Sequence, residues 1–117
     1  MNDRKKALVT GGATGIGRSA VLALAKAGYD VAINYASSAK AAQDTAKEAQ
    51  ALGAHTLLLQ CDVSDDAAVR RMMAEIDAAF GHLDALVSNA GTTASWKVKD
   101  LESLDMDEWD RTFAVNV

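Results

Sequence analysis

Apolar residues along this chain fall into short runs separated by longer stretches where they recur every three or four positions. KALVT (6–10) is an apolar run closed by glycines, the pattern of a strand buried on both faces. Over 16–28, Ile16, Ala20, Ala23, Leu24 and Ala27 return at helical spacing, and Gly28 stands where a glycine ends a helix. VAINY (31–35) predicts a second strand. Positions 38–52 predict a helix with Ala42, Ala46 and Ala49 inward and Lys40, Asp44, Lys47 and Glu48 outward. TLLLQC (56–61) predicts a third strand. Ser64 is then the expected N-cap of a helix whose Val69, Met72, Met73, Ile76 and Phe80 form one stripe. DALVSN (84–89) predicts a fourth strand, followed by a polar loop. Asp105-x-x-Glu108 reads as an Asp-led capping box opening a last helix, with Met106, Trp109, Phe113 and Val117 on one apolar stripe. Strict alternation of strand and helix predicts parallel strands joined by right-handed crossovers, an open α/β sheet.

Composition narrows the setting without changing that picture. The 117 residues are 50% hydrophobic and 24% charged, the balance of a folded soluble domain. No linker, repeat or proline divides them, so residues 1–117 read as one domain. A net charge of −4 without clustered cations argues against a nucleic-acid partner. The lone Cys61 offers neither an internal disulfide nor a metal quartet, which fits a reducing, cytoplasmic setting. The apolar run near the amino terminus is too short for a signal segment or a membrane span, so no membrane partner is expected. His55 and His82 flank strands singly and read as surface residues.

Candidate chemistry begins between the first strand and first helix, in TGGATGIGRSA (10–20). Gly15, Gly17 and Ala20 fit G-x-G-x-x-G/A directly after a strand and at the opening of a helix. One glycine permits the tight turn, another lets the backbone approach a pyrophosphate, and a small third residue lets helix and sheet pack closely. The helix N-terminus adds free N–H groups and the positive end of its dipole. Such a turn predicts a Rossmann-type, doubly wound parallel sheet, of which this chain supplies the first half in strand order 3-2-1-4 with a following helix. The carboxyl edge of that sheet then gathers the glycine turn, Tyr35, Asp62 and Asn89, where ligands of open α/β sheets bind.

Gly11, four residues before Gly15, extends the pattern to T-G-x-x-x-G-x-G, and with it the sequence resembles the short-chain dehydrogenase/reductases. Cys61-Asp62-Val63 matches the stretch whose Asp the family uses at the adenine ring. Ser88-Asn89-Ala90-Gly91 matches the family's N-N-A-G, with Ser88 in place of the first Asn. Phe113-Ala114-Val115-Asn116-Val117 matches the segment carrying the family's structural and catalytic Asn. The resemblance implies that Gly11, Ala13, Thr14, Gly15, Ile16, Gly17, Asn34, Tyr35, Ser37, Ser38, Asp62, Val63, Asn89, Ala90 and Gly91 bind a nicotinamide dinucleotide, and that Asn116 is catalytic. Plainer readings stand beside these. Asp62 also suits an ordinary turn, Asn89-Ala90-Gly91 a strand-ending turn, and Asn116 a hydrogen-bonded buried position.

Preference for NAD(H) usually needs an acidic residue about 20 positions beyond the glycine turn, to bond the ribose 2′-OH. That position here is Tyr35, while Asp30 lies at the opposite end of the strand. Asn34, Ser37 and Ser38 can hydrogen-bond a 2′-phosphate. Arg18 is the nearest cation, though it equally suits a solvent-facing helix position, and the family's frequent basic residue inside the turn is replaced by Thr14. NADP(H) is therefore expected over NAD(H).

The resemblance further implies hydride transfer to or from a carbonyl or alcohol carbon of a small-molecule substrate, by a homo-oligomer (dimer or tetramer). VAINYASS and the glycine turn lean toward 3-oxoacyl-carrier-protein reductase-like members, with sugar or polyol dehydrogenases of the same family as the other possibility. The family's Tyr-x-x-x-Lys is not found: Tyr29 is followed four places on by Ile33, and Tyr35 by Ala39. A tyrosine needs such a lysine because its ordinary pKa, about 10, lies far from neutral. The apolar stripe runs to Val117 without a stop signal, so the natural protein is expected to continue beyond it. The 117 residues alone are expected to be inactive; the reading from another class is a catalytically incomplete dinucleotide-binding or scaffold domain.

Overall fold

The computed structural model describes residues 4–88 and the backbone of a strand at 98–99. Its elements run β1 (Lys5–Val9), α1 (Gly15–Lys26), β2 (Tyr29–Tyr35), α2 (Ala39–Ala51), β3 (Thr56–Gln60), α3 (Asp66–Phe80), β4 (Ala85–Val87) and β5 (Val98–Lys99). The sheet order is β3-β2-β1-β4-β5, so the expected order 3-2-1-4 holds and its strands are parallel. The last helix expected from residue 105 lies outside the described residues.

Alternation along the strands explains why their sequences look apolar throughout. Val9, Val31, Ile33 and Val87 meet Val21 and Ala25 of α1 and Ala46 and Ala49 of α2 on one face. Leu8, Ala32, Leu59 and Leu86 meet Val69, Met72 and Ile76 of α3 on the other. Neighbouring strand residues therefore enter different cores, and neither face of the sheet is left for water. Helix α3 takes the second face because the chain reverses direction across the sheet between β3 and β4. A right-handed crossover in that direction must pass over the opposite side.

Three details depart from the pattern in the sequence. Helix α1 buries Gly17, Val21 and Ala25, whereas Ile16 is 60% exposed and Ala23 and Ala27 face solvent. Residues 20–25 are apolar nearly all round, so spacing did not fix which side docks, and the face with the smallest residue approaches the sheet. The N-cap of α3 is Asp65, whose carboxylate accepts from Ala68 N at 3.2 Å, and not Ser64, whose own donors both turn back to Asp62. The stretch after β4 contributes β5, antiparallel to β4 through Leu86↔Lys99 and Val87↔Val98, so β4 is not the sheet edge. Two residues are too few to carry a period-2 signature.

At the amino ends of the strands, charge is resolved internally. Asp30 is fully buried at the start of β2 and accepts from Lys6 Nζ at 2.6 Å, Arg4 Nε at 2.8 Å and His55 N at 2.9 Å. Burial works against the Asp30 carboxylate, but the Lys6, His55 and Arg4 donors outweigh it and hold the carboxyl well below the usual range. Lys6 is itself buried and its ammonium lies 5.4 Å from the centre of the Phe80 ring. Its main chain exchanges bonds with Asp84, Lys6 N to Asp84 Oδ2 at 2.8 Å and Asp84 N to Lys6 O at 2.7 Å. No described helix is long and apolar enough to cross a membrane.

Replacing Asp30 with Asn leaves the Lys6 charge buried without its counter-ion, and should cost about 3–5 kcal/mol in urea unfolding at neutral pH. A depressed folded pKa means that the carboxylate's contribution is complete above the unfolded value of about 3.9 and is lost as pH falls through the folded one. The gap between wild type and Asp30→Asn should therefore narrow only in acid, below about pH 4. A gap that is already absent at pH 7 would contradict this account.

Candidate functional site

The glycine turn leaves β1 at Thr10 and enters α1 at Gly15, and residues remote in sequence hold its shape. Thr10 N donates to Val87 O at 3.0 Å, fastening the start of the turn to β4. Gly11 N donates to Asn34 Oδ1 at 3.2 Å and Gly12 N to Asn34 O at 2.9 Å, fastening it to β2. Thr45 Oγ1, fully buried on α2, donates to Ala13 O at 3.0 Å. Gly12 has no room for a side chain: a Cβ there would stand 3.0 Å from Ile33 Cγ2 and 3.2 Å from Val21 Cγ2. Gly15 is the opposite case, with φ +59° and nothing within 4 Å of a would-be Cβ. Close packing fixes one glycine, while open space and backbone sign fix the other.

Beyond the turn, the first N–H groups of α1 receive no side-chain cap among the described residues. Thr14 is the N-cap and makes no side-chain capping bond, and no acidic residue stands in the first turn. Helix α3 shows the alternative, since Asp65 occupies that place. A pyrophosphate fits the arrangement at α1, because the donors, the dipole and an approachable Gly15 backbone converge on one spot.

The remaining predicted positions divide by their surroundings. Tyr35 is half-buried at the carboxyl end of β2, and Ser37 and Ser38 are exposed just beyond it. Asp62 is exposed after β3, and its carboxylate accepts from Ser64 Oγ at 2.7 Å and Ser64 N at 2.9 Å, which hold it below the ordinary carboxylate value. It stays ionised and stays oriented. Val63 turns its side chain into the core under α3, so only its main chain faces the edge. Ala13 is buried, while Thr14 and Ile16 are exposed on either side of Gly15, and Gly17 is buried against the sheet. Asn89, Ala90, Gly91 and Asn116 lie outside the described residues.

Asn34 requires a correction. It was expected to reach a 2′-phosphate, but it is 1% exposed and its amide is used within the fold. Besides accepting from Gly11, it donates through Nδ2 to Cys61 O at 3.0 Å and to Leu59 O at 3.3 Å. The residue positions the turn and does not face a ligand. Cys61 is likewise no nucleophile: burial first, then the Asp62 and Asp65 carboxylates, raise its thiol and keep it protonated near neutrality.

Sequence reasoning missed Gly12, Thr45 and the meaning of Ser88. Thr45 shares the helical phase of Ala42, Ala46 and Ala49, so its burial was there to be read. Ser88 is 5% exposed after β4, and its Oγ has no hydrogen-bond partner among the described residues. A buried hydroxyl in that state, on the edge where ligands of such sheets bind, suits a polar group arriving from outside. Among the described residues no three His, Cys, Asp or Glu side chains gather to hold a metal ion.

Residues 5–117 match the family of short chain dehydrogenases. The chain belongs to that family. Its sequence is 41% identical over 117 residues to a 3-oxoacyl-(acyl-carrier-protein) reductase of Staphylococcus aureus, covering 100% of this chain and 46% of the relative. It is 41% identical over 114 residues to a versicolorin reductase of Emericella nidulans, covering 97% of this chain and 42% of that one. A short chain dehydrogenase from Burkholderia cenocepacia, crystallised in complex with NADP, superimposes with a TM-score of 0.72 at 44% identity, over 97% of this chain and 45% of its own. This short-chain dehydrogenase sequence thus spans about half the length of the relatives it matches.

Removing the Asn34 amide tests the architecture of the site. Asn34→Ala removes the acceptor for Gly11 N–H and the donor to Cys61 O and Leu59 O, and should destabilise the protein by about 1–3 kcal/mol. Hydrogen exchange at Gly11 and Gly12 should quicken more than exchange at the amino ends of the strands. Uniform quickening across the sheet would show that Asn34 is only a packing residue.

Proposed function

We propose that this chain is the dinucleotide-binding part of an NADP(H)-dependent short-chain oxidoreductase, of the 3-oxoacyl-carrier-protein reductase-like kind. The observation that carries the reading is the α1 turn, where uncapped N–H groups, an open Gly15 and the Gly12 close approach occur together. The bound nicotinamide would supply a hydride donor or acceptor for a carbonyl or alcohol carbon. This chain's own residues would do the holding. The main chain at 14–17 takes the pyrophosphate, Asp62 and the Val63 main chain flank the adenine, and Tyr35, Ser37 and Ser38 face the ribose.

The absence of a carboxylate at Tyr35 supports NADP(H), since nothing there repels a 2′-phosphate, and the Burkholderia relative's NADP complex agrees with it. Asn89, Ala90 and Gly91 are assigned to the cofactor, and Asn116 to the reacting centre, on motif position alone. A cytoplasmic homo-oligomer acting on a small carbonyl or alcohol compound completes the proposal. A second reading, a binding module without turnover, is favoured for the 117 residues by themselves, because no Tyr-x-x-x-Lys occurs in them.

Titration with NADPH and NADH, followed by energy transfer from tryptophan to the reduced nicotinamide, tests both readings. Binding to the 117-residue chain should favour NADPH, and no oxidation should follow on adding an acetoacetyl thioester. A longer chain that carries Tyr-x-x-x-Lys should oxidise NADPH with that substrate. Tighter binding of NADH would overturn the cofactor assignment, and turnover by the 117 residues would overturn the division of roles.

A further inference from the structure

A groove of about 610 Å³ opens from the glycine turn on the side facing α2. Ala13, Thr14 and Gly15 form its inner wall. Its rim is charged on both helices, Arg18 on α1 and Asp44, Lys47 and Glu48 on α2. Arg18 Nη2 is bonded to Glu48 Oε2 across this groove, and both side chains are close to half-exposed. Helix α2 begins right after Ser37 and Ser38, so the groove adjoins the place where the ribose of a dinucleotide at α1 would sit.

We propose that Arg18 is the residue that selects a 2′-phosphate, and that Glu48 holds it in reserve until the phosphate arrives. The inference rests on the dinucleotide reading and adds its specificity determinant. Thr14 leaves the turn without a cation, and Tyr35 and its neighbours offer only neutral donors, so a phosphate dianion there needs charge from elsewhere. An ion pair this exposed is weak, whereas a dianion offers the guanidinium a stronger, charge-assisted partner, which makes the exchange of Glu48 for it favourable. A guanidinium also matches phosphate oxygens two at a time, which an ammonium does not. Arg18 lies one helical turn beyond Thr14, so its long side chain can swing from α2 toward the turn without moving the backbone. Glu48 thereby becomes a competitor whose removal should strengthen the response to phosphate.

Calorimetric titration of the full-length protein with 2′,5′-ADP and with 5′-AMP separates the terms, because the probes differ only in the 2′-phosphate. Arg18→Ala should weaken 2′,5′-ADP about tenfold and leave 5′-AMP unchanged, while Glu48→Gln should tighten 2′,5′-ADP about threefold. The double variant should behave as Arg18→Ala alone, since Glu48 acts only through the arginine. Circular dichroism melts of each variant check that the fold is retained, and Arg18→Lys should recover part of the loss. If wild type binds both probes and Arg18→Ala changes neither or both equally, the inference fails while the dinucleotide reading stands. If wild type binds neither probe, that reading fails and takes the inference with it.

Discussion

The Asn34 side chain sets the geometry on which the candidate site depends. One buried amide accepts from the turn after β1 and donates to the chain leaving β3, while its own carbonyl receives Gly12 N. Three carboxyl ends are thereby held in fixed relation. Backbone register alone would not do this, because the ladder from β1 to β2 stops at Val9↔Ile33 and the turn begins beyond it. Thr45 on α2 and the van der Waals wall against Gly12 add restraints from other directions. A loop fastened on several sides presents its N–H groups to an anion without having to be ordered first, which is what makes a main-chain site effective.

The two ends of the sheet manage polar groups in opposite ways. At the amino end, Asp30 gathers Arg4, Lys6 and the His55 main chain, and Asp84 takes the Lys6 N–H, so charge and hydrogen bonding close on themselves. At the carboxyl end, polar side chains are spent holding backbone in place, and among the described residues the first turns of α1 and α2 lack a side-chain cap and the Ser88 hydroxyl lacks a partner. Asp30 could not serve the ribose in any case, since the length of β2 separates it from Tyr35. Its acidity answers to burial and ion pairing rather than to ligand binding.

Much of the fold was legible because the strong signals are periodic. The four parallel strands, the three helices between them and the inward face of α2 all follow from spacing, since each apolar run is short and bounded by glycine or a charged helix. Legibility failed where several local choices have similar energies. The apolar circumference of α1 let Ile16 and Val21 compete for the core, and close approach decided for the side carrying Gly17. Ser64 and Asp65 are both good caps, and Asp62 decided the matter by capturing Ser64. The candidate site was legible as glycines and strand ends. Its tethers were not, because Gly11–Asn34 and Ala13–Thr45 join positions 23 and 32 residues apart, and no short motif records a hydrogen bond at that range.

What a ligand would meet along this edge is mostly main chain, and that has a consequence for specificity. Backbone donors at the turn ask of the sequence only small residues and correct tethers, so they read a phosphate wherever it comes from. Discrimination must come from side chains that face outward, among them Thr14, Arg18, Tyr35, Ser37, Ser38 and Asp62. On the dinucleotide reading proposed above, these would line the pyrophosphate and adenosine half of the cofactor rather than the reacting carbon. On that reading, cofactor choice can be argued from these residues, whereas choice among carbonyl or alcohol compounds cannot. Relatives as different in substrate as a 3-oxoacyl reductase and a versicolorin reductase match this chain at the same 41% identity. That is the expected result when the shared residues serve the cofactor.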